Sequence, residues 1–146
     1  MTETTTQTPT PARRMTGAAR VLVVVYGILA LAATGRSVFQ LVTKFDEAPL
    51  AYSLSVVAGV VYIVATIALA VGTPVWRRVA WVAVGFEMIG VLAVGTLSAL
   101  RPDLFPDDSV WSWFGYGYLF IPLVLPVLGL LYLWRSRPSA ATRTSR

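Results

Sequence analysis

Two charged side chains interrupt stretches of this sequence that are otherwise apolar: Arg36, within Gly35-Arg36-Ser37, and Glu87, within Phe86-Glu87-Met88. At mid-bilayer either charge costs roughly 2.5–3.5 kcal/mol on insertion scales, so residues of this kind are functional-site candidates by default. Two chemistries are open to them: mutual neutralisation as an ion pair, or proton uptake and release at the carboxyl. Tyr62, Tyr118 and Ser55 are the hydroxyl-bearing residues that could bridge or relay between them. Other chemistry lacks its residues. The 146-residue chain has no Cys and no His, and no Asn occurs in it, which excludes disulfides, thiolate or imidazole metal sites, His-ligated haem and N-glycosylation. There is no Gly-rich phosphate loop and no nucleophile with a His base. Asp107-Asp108 is an acid pair that reads as a solvated loop rather than a cation site. The expectation is no enzymatic activity, no cofactor and no metal.

The elements that must position these residues follow from composition. The chain is 56% hydrophobic and only 13% charged, against roughly 25% charged in an average soluble domain. Four apolar segments, at about 20–42, 50–72, 78–100 and 113–134, each approach the ~20 residues that span a bilayer core as helix. The predicted fold is all-α: a polytopic membrane protein built as an antiparallel bundle of four transmembrane helices over residues 16–135. Residues 1–15, opening Met1-Thr2-Glu3-Thr4-Thr5, and residues 136–146 read as disordered cytoplasmic tails.

Basic residues set the orientation. Arg13, Arg14 and Arg20 precede the first segment, Arg77 and Arg78 separate the second from the third, and Arg135, Arg137, Arg143 and Arg146 follow the fourth. The other two connections carry only Lys44 and Arg101, with acids and prolines around them. The rule that positive loops stay inside puts both termini in the cytoplasm and the protein in the cell membrane. Trp76, Trp81, Tyr132 and Trp134 then form an inner aromatic belt, and Tyr52, Trp111, Trp113 and Tyr116 an outer one. The formal charge of +5 is spread over these short flanks and makes no continuous basic face, which argues against nucleic acid. A cleaved leader ending at Ala30-Leu31-Ala32 is the rival reading of the first segment, disfavoured because apolar residues resume at Val38.

Rise per residue gives depth. Glu87, nine residues past Arg78, lies about 14 Å from the inner boundary, and Arg36, sixteen past Arg20, about 24 Å from it. Tyr62 is level with Glu87, whereas Ser55 and Tyr118 are level with Arg36. The stripe Ala80, Ala83, Gly90 and Val94 lets another helix approach the Glu87 face, and Ala51, Ser55 and Gly59 do the same on the second helix. Both charges are therefore expected in the interior. One reading pairs Arg36 with Glu87 through long side chains, with Tyr62 or Tyr118 between them. The other has Arg36 snorkel outward toward Asp46 or Glu47, while Glu87, held neutral by low dielectric, bonds a backbone group or a tyrosine.

The fourth segment carries Gly115-Tyr116-Gly117, which lacks the preceding residues and re-entrant loop of a potassium filter. Pro122 and Pro126 are expected to kink its helix. In length, Thr-rich start, preference for Arg over Lys, and the segment Gly35-Arg36-Ser37-Val38-Phe39-Gln40, the chain resembles small uncharacterised four-helix integral membrane proteins of actinobacteria. That resemblance implies the fold and no activity. Small multidrug resistance transporters also have four helices and one membrane glutamate, but in the first helix, and DoxX-like proteins share the layout without a matching motif. The sequence thus favours an accessory, interaction or structural membrane subunit. Its partners are the lipid bilayer and either another membrane protein or a second copy, met through the small-residue faces. The alternative is a small transporter of protons or lipophilic solutes built on Glu87.

Overall fold

A computed structural model describes residues 15–136, so apart from Met15 and Ser136 the expected tails lie outside the described residues. Four α-helices follow in order: α1 (Gly17–Thr43), α2 (Pro49–Val71), α3 (Pro74–Leu100) and α4 (Ile121–Arg135). Short 3-10 turns occupy Phe45–Glu47 and Pro102–Leu104, and a longer 3-10 stretch, Ser112–Tyr118, precedes α4. No strand occurs among the described residues.

The helix ends are written in the sequence. Thr16 caps α1, its Oγ1 accepting the N–H of Ala19 at 3.4 Å. Pro49 and Pro74 start α2 and α3, where a missing N–H costs nothing. Gly72 ends α2 at φ 64°, a left-handed conformation open to glycine, and its N–H returns to the Ala68 carbonyl. Two residues, Gly72 and Thr73, then suffice to turn the chain back into α3.

α1 packs chiefly on α2, α2 on α3, and α3 on α4 and the 112–118 stretch, with a smaller contact of α1 on α4. Alanines dominate the contacts: Ala33, Ala51, Ala58, Ala65, Ala68 and Ala80 are all nearly inaccessible. Their small side chains let backbones approach closely, the usual basis of helix association in lipid. Large aliphatic residues turn outward instead, with Leu31 78%, Val42 80% and Ile89 69% exposed. Inward alanines and outward leucine, valine and isoleucine invert the pattern of a water-soluble bundle. α1, α2 and α3 are each long and apolar enough to cross a membrane.

The fourth segment departs from expectation. Instead of one helix over 113–134, the 112–118 stretch meets α4 at a bend of 99°, and only the bent pair taken together would make a fourth span. Trp113, Phe114, Leu119 and Phe120 have φ between 51° and 59°, and Gly115 has φ 79°. Bulky residues adopt that region at a cost, so a right-handed helix cannot run through. The sharp bend is not the kink expected at the prolines. Pro122 is buried in the first turn of α4, where its ring needs no kink, and Pro126 lies inside α4. The sharp bend falls at Leu119-Phe120, upstream of both.

Candidate functional site

Glu87 sits at the centre of the described bundle with no exposed surface. The hydroxyl of Tyr26, from α1, donates to its Oε2 at 2.7 Å. Oε1 is buried without a hydrogen-bond partner among the described residues. Tyr62, from α2, comes close to the pair, its ring 6.3 Å from that of Tyr26. Its hydroxyl does not bond the carboxyl, however; it accepts the indole N–H of Trp111 at 3.0 Å. Trp111 reaches this depth by lying over Gly90 of α3, where an added Cβ would meet the indole at 2.7 Å. α1, α2, α3 and the loop before α4 thus each send one polar aromatic or acidic side chain to a single buried point.

A second cluster lies at the end of the bundle away from Arg77, organised by Asp107. Its Oδ2 accepts from the Tyr52 hydroxyl at 2.9 Å and from Gln40 Nε2 at 3.5 Å, and its Oδ1 accepts the N–H of Asp108 at 2.8 Å. Arg36 Nη2 stands 3.9 Å from Asp107 Oδ1 and donates to the Asp108 carbonyl at 2.8 Å. The Arg36–Glu87 pair is therefore replaced by two separate networks. Arg36 starts nearer that end and finds backbone and carboxylate there, a cheaper course than extending about 10 Å into the bundle. The direction is the snorkelling one, but its partners are Asp107 and Asp108 rather than Asp46 and Glu47.

The loop that builds both clusters is held by serines. The N–H of Ser109 donates to Ser112 Oγ at 2.9 Å, that of Val110 to Ser55 Oγ at 3.3 Å, that of Ser112 to Ser109 Oγ at 3.1 Å, and that of Trp113 to Ser98 Oγ at 2.8 Å. Non-helical backbone deep among helices needs such partners, since no helix ladder supplies them. Ser55 therefore braces the loop, and Tyr118 is half-buried against the core without a side-chain hydrogen bond to either cluster.

Of the residues in the two networks, Tyr26 was not named by the sequence, while Trp111 and Tyr52 were read only as belt residues, Asp107 only as half of a solvated acid pair and Gln40 only as a neighbour of Arg36. Tyr26 carried a usable signal: it lies on the Leu22, Leu29 and Ala33 face of α1, and a tyrosine reaches several ångströms beyond its own backbone level. Trp111, read as part of an outer belt, is instead buried and bonded to Tyr62, whereas Tyr52 is buried but bonds Asp107 at the end of the bundle where it was expected. No group of three or more potential metal-ligating His, Cys, Asp or Glu residues occurs among the described residues. No family model matches the chain, and no curated protein or solved structure matches it significantly.

Proposed function

We propose that this chain is an integral membrane protein of four crossings, both termini cytoplasmic, that serves as an accessory or structural subunit rather than a catalyst. The observation that carries the reading is the closure of the polar core. Glu87 is fully buried, its one bonded oxygen faces Tyr26, and Trp111 packs against Gly90, one helical turn away. A buried acid so enclosed acts as a lock that fixes which helices meet and in what register, a role polar groups take where apolar packing alone is permissive. The small-residue faces and the apolar exterior leave lipid and other membrane helices as its partners.

The unpartnered Oε1 of Glu87 favours a second reading, a transporter that takes a proton or lipophilic solute at that carboxyl in another conformation. Reconstitution separates the two. Liposomes containing the protein should leak protons and lipophilic cations no faster than empty ones, and Glu87→Gln should change nothing. A flux above background that Glu87→Gln abolishes would replace the accessory reading with the transporter.

A further inference from the structure

The residues between the outer loop and α4 have no role in either cluster beyond supporting it, yet they expose a concentrated aromatic and aliphatic surface. Tyr116 is 69% and Leu119 84% exposed, with Trp113 and Phe120 also open. Tyr116 and Phe120 stack edge to face, their centroids 5.8 Å apart. A hollow of about 450 Å³ opens among Trp113, Phe114, Tyr116, Phe120 and Asp108, aromatic except for the one carboxylate.

Depth places this surface. Arg77, near the start of α3, donates to the Leu133 carbonyl and to Ser136 Oγ at the end of α4, so those two ends are level. From Leu133, α4 rises about 18 Å to Ile121, whereas α3 continues about 35 Å from Arg77 to its end at Leu100. α4 alone is thus too short for a core of about 30 Å. The 99° bend then carries the chain sideways at a level the neighbouring helix still occupies. The turned segment is pinned to α3 about 27–32 Å beyond Arg77: Trp113 N–H bonds Ser98, and Phe114 lies over Gly95, where an added Cβ would meet its ring at 2.5 Å.

We propose that residues 112–120 form an aromatic foot lying in the plane of the membrane at the headgroup–acyl boundary of the outer leaflet, with lipid as its partner. The inference rests on the membrane-spanning reading. The bend supplies the in-plane direction, the contacts with Gly95 and Ser98 near the end of α3 supply the depth, and tyrosine and tryptophan beside a single carboxylate match a boundary apolar on one side and wet on the other. Lipid covers the apolar side chains, while the N–H groups of Ser112 and Trp113 bond serines and those of Leu119 and Phe120 bond the Tyr116 and Gly115 carbonyls.

The absence of cysteine allows single-cysteine labels without altering the background. Leu119→Cys, carrying an environment-sensitive fluorophore in phosphatidylcholine vesicles, should be quenched by a nitroxide high on the acyl chain. That quenching should exceed, by about twofold or more, the quenching from a nitroxide at the chain end or from aqueous iodide. Tyr116→Cys provides the same reading should Leu119→Cys fold poorly. Dominant iodide quenching would make the segment an aqueous loop, dominant deep quenching would make it a continuation of α4, and no quenching would mean protein covers it; each overturns the proposal. Val127→Cys on the exposed face of α4 separates the failures. Deep quenching there with failure at 119 overturns the foot alone, whereas its absence overturns the spanning of α4 and the foot with it.

Discussion

Glu87 and Tyr26 form the most deeply buried polar contact between helices distant in sequence, and their energetics follow from what each leaves behind. Tyr26→Phe removes the one donor to the carboxyl, and Glu87→Leu leaves the Tyr26 hydroxyl without its acceptor; each should cost about 1–3 kcal/mol, the penalty of a buried group left unpaired. The double variant Tyr26→Phe/Glu87→Leu should cost clearly less than the sum, which a double-mutant cycle on thermal unfolding in detergent would measure. Glu87→Gln keeps an acceptor for Tyr26 with no charge to bury, so its midpoint should equal or exceed that of the parent chain. Additive losses in the cycle would mean that the contact carries no coupling. The outer surface behaves differently. Arg101 donates twice to Asp103, at 2.9 and 2.8 Å, and so holds that carboxyl below its usual range. A lowered folded value contributes stability that is present above the unfolded carboxylate range and disappears as pH falls through the lowered value. Both side chains are more than half exposed, so screening leaves little of it, and Asp103→Asn should move the unfolding midpoint at neutral pH by about a degree or less.

Gly90 and Gly95 on α3 show how one helix face decides whether the outer loop can enter the bundle. Trp111 and Phe114 occupy the space a side chain would take there, so Gly90→Ala and Gly95→Ala should each destabilise by about 1–3 kcal/mol through overpacking. Gly85, on the same helix, has nothing within 4 Å of an added Cβ, and Gly85→Ala should be neutral or stabilising by up to about 1 kcal/mol from helix propensity. Tryptophan emission during thermal unfolding reports all three, and equal effects at the three positions would refute the wedge. This is also the scale at which sequence reasoning divided. α1, α2 and α3 were legible because each is a long apolar run bounded by Pro, Gly or charge, with boundaries met within a few residues. Glu87, Tyr62 and the alanine faces were legible from depth and helical spacing. The break before α4 was not, because Trp113-Phe114 and Leu119-Phe120 are as apolar as a helix interior and no local propensity asks them to be left-handed. What holds them there is tertiary: Ser98, Gly95 and Pro122, the last lying 2.8 Å from where a Cβ on Gly115 would stand. Trp111 misled for the same reason, since a boundary tryptophan and a buried one look alike until a partner such as Tyr62 is in place.

Across the whole molecule the two ends differ in how their cations are neutralised, and this bears on which way the protein faces. At the end of the two acidic connections, Arg36 stands 3.9 Å from Asp107, Lys44 3.6 Å from Glu47 and Arg101 2.8 Å from Asp103. At the opposite end Arg20, Arg77, Arg78 and Arg135 have no carboxylate partner among the described residues. Arg77 is turned instead to the last carbonyls of α4, where a cation also complements the helix dipole. Among the described residues the contrast in Lys and Arg number is thus deepened by pairing, which supports the proposed placement of the Arg-rich end on the cytoplasmic side. Thr73 and Asp103, both exposed in the connections that flank α3, read the two ends directly. In intact cells stripped of any outer wall, Asp103→Cys should react with a membrane-impermeant maleimide, and Thr73→Cys should react only after the membrane is opened. The reverse pattern would invert the orientation, while reaction of both before opening would show that α3 does not cross. Glu87 lies midway along that helix, so the same two labels establish whether the buried acid is held within the bilayer.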